Sequence, residues 1–210
     1  MNIIQFIKEN QFKLILEIGA HFGTETLQFK NVVPSAEIYS FEPDPRNLKI
    51  LHENGIDKIC KLYPYALSNT NGTIDFYLSA GEYNGKLEYL KNKPWSASSS
   101  IKKPKEHLNV HKWVKFNEVV KVETIRLDDC KELHNKTIDF IWADVQGAED
   151  LVFSGAKETL KRTRYVYTEF NNNELYEGQL NLSGIKELFG NDWEVVEVFR
   201  DDVLLKNKTL

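Results

Sequence analysis

The residues best suited to chemistry in this sequence are a glycine-bracketed turn and an acidic residue one predicted strand later. Residues 14–26 read LILEIGAHFGTET, an apolar strand followed by a turn between Gly19 and Gly23. Glycines there let the backbone pass close to a ligand, and the amides of the next helix point towards it. Glu42 ends the next predicted strand, where a carboxylate can accept hydrogen bonds from both hydroxyls of a ribose. At the spacing of one βαβ unit, the two features predict a nucleoside site.

The composition of the turn favours S-adenosylmethionine (SAM) over a dinucleotide. A dinucleotide fingerprint has the pattern GxGxxG, because the additional glycines make room for the pyrophosphate. Here the turn reads GAHFG, with Ala20, His21 and Phe22 between its two glycines. Glu17 precedes the turn, and a carboxylate beside the pocket suits a cationic sulfonium and amino group better than a pyrophosphate. We therefore expect SAM. An NAD-dependent oxidoreductase and a non-catalytic SAM-binding interaction protein are the alternatives.

A second group of polar residues follows two later strands. Asp144 ends the strand within DFIWADVQGAEDLVFSGA, and Glu169 ends the next strand, with Asn171 just after it. Asp144 could orient the methionine part of SAM, act as a base, ligate a metal or cap the following helix. Together the three side chains offer oxygen ligands suited to Mg²⁺ or Mn²⁺. His21 is the second candidate for the base.

Short apolar runs that alternate with segments of helical period position these residues. They predict an open, mostly parallel α/β sheet with helices on both faces and a closing antiparallel hairpin. A tight turn at Asn71-Gly72 predicts a further hairpin, and a helix is expected to begin near Asp128. The predicted strands are 13–18, 37–41, 60–67, 73–78, 119–127, 138–143, 165–170, 193–199 and 203–205. The predicted helices include 24–31, a segment from Pro45 to near Gly55, 149–160 with a break near Gly155, and 183–189.

Length and composition indicate one intracellular domain. The 210 residues, 41% of them hydrophobic, fit a single SAM-dependent methyltransferase domain over 1–210, with a variable, substrate-facing insertion at 79–117. The net charge of −4 argues against a nucleic-acid-binding face. Cys60 and Cys130 lack CxxC spacing, which favours a reduced, cytoplasmic protein. Charged residues interrupt the apolar N-terminal segment, so neither a signal peptide nor a membrane span is expected.

The order of these motifs resembles that of the FkbM-type methyltransferases. The resemblance covers the glycine-turn strand, FEPDP, ALSNTNG, VETIRLDD and the segment 139–156, up to a strand ending in Glu169. It implies a Rossmann-like methyltransferase fold of seven strands, the last antiparallel. It also implies methylation of hydroxyls on sugars, polyketides and related small molecules. The sequence departs from the family at His21, where Asn is commoner, at Trp142, where Lys is commoner, and at Gln146 within the DVEG pattern.

The resemblance also carries residue roles. By position, Glu42 would bind the ribose, Ala66, Leu67 and Ser68 would border the adenine, and the turn between Gly19 and Gly23 would hold the amino-acid part of SAM. The complete set of expected cofactor-binding residues is Glu17, Gly19, Ala20, His21, Gly23, Thr24, Glu42, Pro43, Asp44, Ala66, Leu67, Ser68 and Asp144.

The predicted activity is SAM-dependent O-methylation of a hydroxyl on a sugar, glycan or related small molecule. Methyl transfer is an in-line displacement, so the acceptor oxygen must lie opposite the departing sulfur. A sugar hydroxyl is a poor nucleophile until its proton is removed, and Asp144, His21 or a bound metal could do this. The segment 95–100, with sequence WSASSS, combines an aromatic ring with hydroxyls and is expected to close over the acceptor.

Overall fold

The computed structural model describes residues 1–81 and 95–210. Its helices are α1 (Ile3–Asn10), α2 (Thr24–Val32), α3 (Pro45–Glu53), α4 (His107–Val110), α5 (Glu149–Ser154), α6 (Lys157–Leu160) and α7 (Leu182–Phe189). Its strands are β1 (Leu14–Ile18), β2 (Glu37–Phe41), β3 (Lys61–Tyr63), β4 (Ala66–Leu67), β5 (Gly72–Ala80), β6 (Lys115–Ile125), β7 (Ile138–Ala143), β8 (Thr163–Glu169), β9 (Trp193–Val198) and β10 (Asp202–Asn207).

Seven strands form the central sheet in the order β3-β2-β1-β7-β8-β10-β9. The first five strands in this order run parallel to one another. Strand β10 runs antiparallel to both of its neighbours, β8 and β9. The strand order reverses at β1, so the carboxyl ends of β1, β2 and β7 meet at the crevice where ligands bind in open sheets. The predicted fold class is confirmed, including the closing antiparallel hairpin.

Strand β1 is buried along its whole length because helices cover both faces of the sheet. On one face Leu16 packs in a cluster with Phe153 of α5 and Ile185 of α7. On the other face Ile15 packs with Phe29 of α2. Successive side chains of a strand point to opposite faces, so β1 contributes alternately to the two layers.

The predicted strand 60–67 is divided between two sheets, which corrects the sequence-based assignment. Pro64 separates β3 from β4 and lacks the N–H that a continuous ladder needs. Strand β4 instead pairs in parallel with β6, in a second sheet of order β4-β6-β5. The hairpin predicted at Asn71-Gly72 was also wrong, because β5 pairs antiparallel with the distant β6 rather than with the strand before it.

The helix predicted near Asp128 is replaced by two short 3₁₀ turns, Leu127–Asp129 and Lys131–Leu133. The Asp128 carboxylate instead accepts the backbone N–H groups of Glu158 (3.1 Å) and Thr159 (2.8 Å), in the first turn of α6. These donors have no partner within their own helix, so Asp128 serves as a distant cap. The predicted break near Gly155 is confirmed, since α5 ends at Ser154 and α6 begins at Lys157.

Helix α1 was not predicted, and part of the predicted insertion lies outside the described residues. Residues 82–94 of the insertion 79–117 belong to that part. In residues 1–81 and 95–210, no helix is long and apolar enough to cross a membrane. Both cysteines are free, and the cytoplasmic location stays a prediction.

Candidate active site

A pocket opens at the carboxyl ends of β1, β2 and β7, where the sequence places its candidate residues. The expected cofactor-binding residues that line it are Gly19, His21, Thr24, Glu42, Pro43, Ala66, Leu67 and Asp144. These residues come from four separate segments of the chain. Two of them are carboxylates at strand ends on either side of β1, Glu42 after β2 and Asp144 after β7.

The turn after β1 requires glycine for two independent reasons. Gly19 has φ +91°, and a Cβ at this position would lie 2.0 Å from the carbonyl oxygen of Asp144. The two segments are this close because Asp144 N–H donates to the Ile18 carbonyl oxygen at 3.0 Å. His21 also has a positive φ, +48°, in the left-handed region that asparagine and histidine enter more readily than most residues. The left-handed backbone conformation required here explains why asparagine suits this position in the FkbM-type methyltransferases.

Glu42 is held rigidly by backbone donors. Its Oε2 accepts the His21 N–H at 2.7 Å and its Oε1 accepts the Asp44 N–H at 2.8 Å. Burial raises the pKa of Glu42 to about 8, against the two backbone donors, which favour the ionised form. The Asn47 side chain also hydrogen-bonds this carboxylate. A carboxylate has about four lone-pair sites, so Glu42 keeps acceptor capacity for a ribose hydroxyl.

Glu17 lies beneath the pocket and is not among its described lining residues, contrary to its expected cofactor contact. The carboxylate is fully buried, and its Oε2 accepts the hydroxyls of Thr26 (2.5 Å) and Ser40 (2.6 Å). Its neighbour Ile18 lines the pocket, and adjacent strand residues point to opposite faces. Glu17 therefore contacts α2 and β2 rather than a ligand.

Glu25 supplies the pocket carboxylate that Glu17 was expected to supply. It lies in the first turn of α2, lines the pocket and is half-buried. Burial and the nearby charge of Asp144 raise the pKa of Glu25 above its ordinary value. Its place directly after the glycine turn is a sequence signal that could have identified it. The sequence reasoning also missed the lining residues Phe41, Asn47, Tyr65, Phe76, Trp142 and Gln146.

The segment 95–101 forms one wall of the pocket and is tied to the glycine turn. Ser96 Oγ donates to Asn47 Oδ1 at 2.7 Å and lies 3.0 Å from His21 Nε2. Ser96 has a single proton, which goes to Asn47, so His21 Nε2 acts as the donor in this contact. Trp95, Ser96, Ala97, Ser99 and Ile101 all line the pocket. The segment 95–100, which the sequence singles out for its aromatic ring and hydroxyls, is therefore part of the pocket wall.

Asp144 belongs to an acidic network with Glu169. The Gln146 side-chain amide donates to Asp144 Oδ1 at 2.7 Å and to Glu169 Oε2 at 3.3 Å. Asp144 is exposed, and its side chain lines the pocket. The surrounding protein raises the pKa of Asp144, and burial together with the charge of Asp144 raises the pKa of Glu169. An acceptor filling the pocket would complete the exclusion of water from Asp144.

The predicted metal set of Asp144, Glu169 and Asn171 is not supported by this geometry. The Gln146 amide nitrogen donates to both carboxylates, and Asn171 Oδ1 accepts the Asn173 N–H at 2.9 Å. The amide occupies one acceptor site on each carboxylate and places a hydrogen-bond donor, rather than an oxygen ligand, between them. Within the described residues, no three His, Cys, Asp or Glu side chains are grouped to hold a metal ion.

Four expected cofactor-binding residues pack behind the pocket wall. Ala20 packs with Leu51, and Gly23 begins α2, with no room for a Cβ against Ile56. Asp44 caps α3 by accepting the Arg46 N–H at 2.9 Å. Ser68 N–H donates to the Ile125 carbonyl oxygen at 3.1 Å and continues the second sheet. Their contacts shape the elements that carry the lining residues.

Comparison with known proteins identifies the family. Residues 17–200 match the model of the Methyltransferase FkbM domain. The chain is 43% identical over 204 residues to the 2-O-methyltransferase NoeI of Sinorhizobium fredii, covering 94% of this chain and 80% of NoeI. The chain belongs to the FkbM methyltransferase family. The resemblance inferred from the motifs is thereby confirmed, and the NAD-dependent alternative is set aside.

Solved structures agree with this FkbM assignment at the level of the fold. The FkbM methyltransferase of Methylobacillus flagellatus superposes with a TM-score of 0.54 at 10% identity, over 93% of this chain and 44% of that protein. Cofactor-bound Rv0187 from MTB superposes with a TM-score of 0.52 at 9% identity, over 98% of this chain and 78% of that one. The prediction of a SAM-dependent O-methyltransferase with a Rossmann-like fold is confirmed.

Proposed function

We propose that this FkbM methyltransferase transfers the methyl group of SAM to a hydroxyl of a sugar or glycan, with Asp144 as the base. The observation that carries the proposal is a single pocket lined by both Glu42 and Asp144. Glu42 is fixed by two backbone N–H groups, whereas Asp144 is open to the pocket. One carboxylate is thus placed to bind a ribose and the other to meet an acceptor.

The pocket lining suits each part of SAM. Glu42 would accept the ribose hydroxyls, and the apolar side chains of Phe41 and Leu67 would border the adenine. The glycine turn and the start of α2 would bind the methionine carboxylate through backbone N–H groups. Glu25 would attract the cationic amino group. Gly19 lets the ends of β1 and β7 lie close together beneath this site, because a side chain there would meet the Asp144 carbonyl oxygen.

The chemistry follows from the position of Asp144. Bound SAM supplies an electrophilic methyl carbon on a positively charged sulfur. The acceptor hydroxyl gives its proton to Asp144, and its oxygen forms the bond to that carbon as the carbon–sulfur bond breaks. The proton then leaves Asp144 for solvent. The remaining pocket walls align the acceptor and exclude water, which supplies much of the acceleration in such displacements.

A sugar acceptor is supported by the side chains of the other pocket wall. Trp95 and Trp142 offer flat apolar faces, and Ser96 and Ser99 lie among the lining residues as hydroxyl partners. A sugar ring combines an apolar face with hydroxyl groups and matches such a surface. We extend this to the 2-hydroxyl, because the relative NoeI is a 2-O-methyltransferase. In this proposal residues 95–101 of the insertion form the acceptor side of the site.

Calorimetric titration with S-adenosylhomocysteine tests the cofactor part of the proposal. The wild-type protein should show saturable one-site binding, and Glu42→Ala should weaken the Kd at least tenfold, since hydrogen bonding to the ribose is lost. Glu53→Ala is the matched control, because its carboxylate lies exposed on the surface of α3. Equal binding by wild type and Glu42→Ala would contradict the proposed ribose contact.

Incubation with labelled SAM and a panel of methyl glycosides tests the acceptor part. We expect methyl ethers as products, and turnover that survives a metal chelator, since the Gln146 amide already bonds both carboxylates. Loss of turnover in chelator, restored by Mg²⁺, would contradict the metal-free mechanism. Transfer to other alcohols and to none of the glycosides would contradict the sugar acceptor.

A further inference from the structure

Gln146 bridges the two carboxylates that end neighbouring strands of the sheet. Asp144 follows β7 and Glu169 ends β8. The Gln146 Nε2 atom lies 2.7 Å from Asp144 Oδ1 and 3.3 Å from Glu169 Oε2. An amide NH₂ group has two protons, so it can donate one to each carboxylate. The shorter of the two hydrogen bonds goes to the carboxylate that is open to the pocket.

The orientation of this amide is set by the two carboxylates. A flipped amide would turn its oxygen towards both of them. Tyr176 is buried and donates its single hydroxyl proton to the Ser98 carbonyl oxygen at 2.7 Å, while its oxygen lies 3.2 Å from Gln146 Oε1. The backbone is held as well, because the Gln146 carbonyl oxygen accepts the Ser100 hydroxyl at 2.8 Å. Ser100 of the insertion thus holds the residue whose side chain joins the two carboxylates.

Within the residues that the structure describes, the groups that act electrostatically on this pair are acidic or phenolic. Asp144 and Glu169 act on each other, Glu169 is also affected by Glu149, Asp201 and Asp202, and Asp144 also acts on Glu25, Glu149, Tyr167, Tyr176 and Asp202. Two hydrogen-bonded carboxyl groups share a proton in preference to both being ionised. The shorter amide hydrogen bond and the exposure to the pocket favour the charge on Asp144, whereas the deeper burial of Glu169 favours the proton there.

We propose that Gln146 is a positioning residue, which keeps Asp144 ionised and aimed at the acceptor hydroxyl and leaves the shared proton on Glu169. This inference rests on the proposed role of Asp144 as the base. A neutral donor is suited to the task, since it stabilises one negative charge and adds none. A glutamate at the same position would replace the donor with an acceptor and bring a third carboxylate into the cluster.

Gln146→Glu tests the inference through the pH dependence of turnover. At pH 7 we expect kcat to fall at least tenfold, with the rising limb of the kcat profile displaced upwards by about one pH unit or more. Turnover should therefore recover partly at pH 9. The Kd for S-adenosylhomocysteine should stay within about threefold of wild type. A kcat that falls equally at every pH, with the limb unmoved, would overturn the positioning role.

Gln5→Glu is the matched control. Gln5 Nε2 also donates to a carboxylate, Glu9 Oε1 at 2.8 Å, but on the exposed surface of α1. This variant should leave the pH profile unchanged. Gln146→Met provides a second test without new charge, because it removes both amide hydrogen bonds to the carboxylates. It should displace the rising limb upwards and lower kcat, and a profile identical to wild type would overturn the inference.

Failure of the proposed function gives a different pattern. If wild type binds S-adenosylhomocysteine but methylates no glycoside, the acceptor proposal fails, and the arrangement at Gln146 is tested by unfolding alone. The carboxylate added in Gln146→Glu should hold its proton more tightly in the folded state, so stability should fall as the pH rises from 5 to 8. The same dependence in Gln5→Glu and Gln146→Glu would overturn the inference.

Discussion

Glu17→Gln separates a structural carboxylate from a cofactor-binding one. Burial raises the pKa of Glu17 from its ordinary 4.5 to about 7. The folded state therefore holds this proton more tightly than the unfolded state does. The resulting stabilisation is fully present below pH 4.5 and is lost as the pH rises through 7. Glutamine carries no charge at any pH, so the variant should escape that loss.

The magnitude follows from the interval between the two pKa values. At about 1.4 kcal/mol per pH unit, the interval from 4.5 to about 7 corresponds to roughly 3.5 kcal/mol at high pH. Between pH 5 and pH 8, where part of the change has already occurred, about 2.5 kcal/mol remains. Glu17 Oε1 has no hydrogen-bond partner in the part of the chain that the structure describes, so the glutamine amide placed there adds a cost that does not depend on pH.

Denaturant unfolding at pH 5 and pH 8 measures this difference. Relative to wild type, the free energy of unfolding of Glu17→Gln should rise by about 2.5 kcal/mol between the two pH values. Glu53→Gln, at an exposed site, should show no such rise. The Kd for S-adenosylhomocysteine should remain within about threefold of wild type. A tenfold weaker Kd, or parallel stabilities at both pH values, would refute the placement of Glu17 beneath the pocket.

Two further substitutions test the pocket itself. Gly19→Ala should abolish S-adenosylhomocysteine binding in calorimetry, because the new Cβ would lie 2.0 Å from the Asp144 carbonyl oxygen. Gly190 also has a positive φ, but a Cβ there would have nothing within 4 Å, so Gly190→Ala should lower the stability by only about 1 kcal/mol and keep the Kd. Equal effects of Gly19→Ala and Gly190→Ala would contradict the close approach of Gly19 to Asp144. Glu25→Gln should raise the same Kd about tenfold by removing the partner of the cofactor's amino group, and an unchanged Kd would rule out that contact.

The features that the sequence predicted correctly depend on short stretches of chain. Strand β1 is a continuous apolar run with a glycine directly after it, and Glu42 ends the next strand, so each can be recognised within a few residues. Their meeting follows from the general rule that parallel strands end at one edge of the sheet. The helix that begins at Pro45 is similarly local, since the Asp44 side chain caps it by accepting the N–H of Arg46, two residues later.

The misplaced features depend on contacts distant in sequence. Strand β5 pairs with β6 across the whole insertion, and Tyr176 reaches Gln146 from 30 residues away. No local pattern encodes such a partner. Glu17 is a different case, because successive side chains of a strand point to opposite faces of the sheet, and Glu17 therefore lies on the face opposite to Ile18. The sequence alone did not reveal which of the two faces the pocket.

Methyl transfer by Asp144→Asn directly tests whether Asp144 is the base. Wild type and the variant would be incubated with labelled SAM and methyl glycosides, and binding of S-adenosylhomocysteine would be measured in parallel. We expect an O-methyl glycoside from wild type and turnover reduced roughly 100-fold or more in Asp144→Asn. The Kd for S-adenosylhomocysteine should be unchanged within threefold. Wild-type turnover by the variant would contradict the assignment of Asp144 as the base.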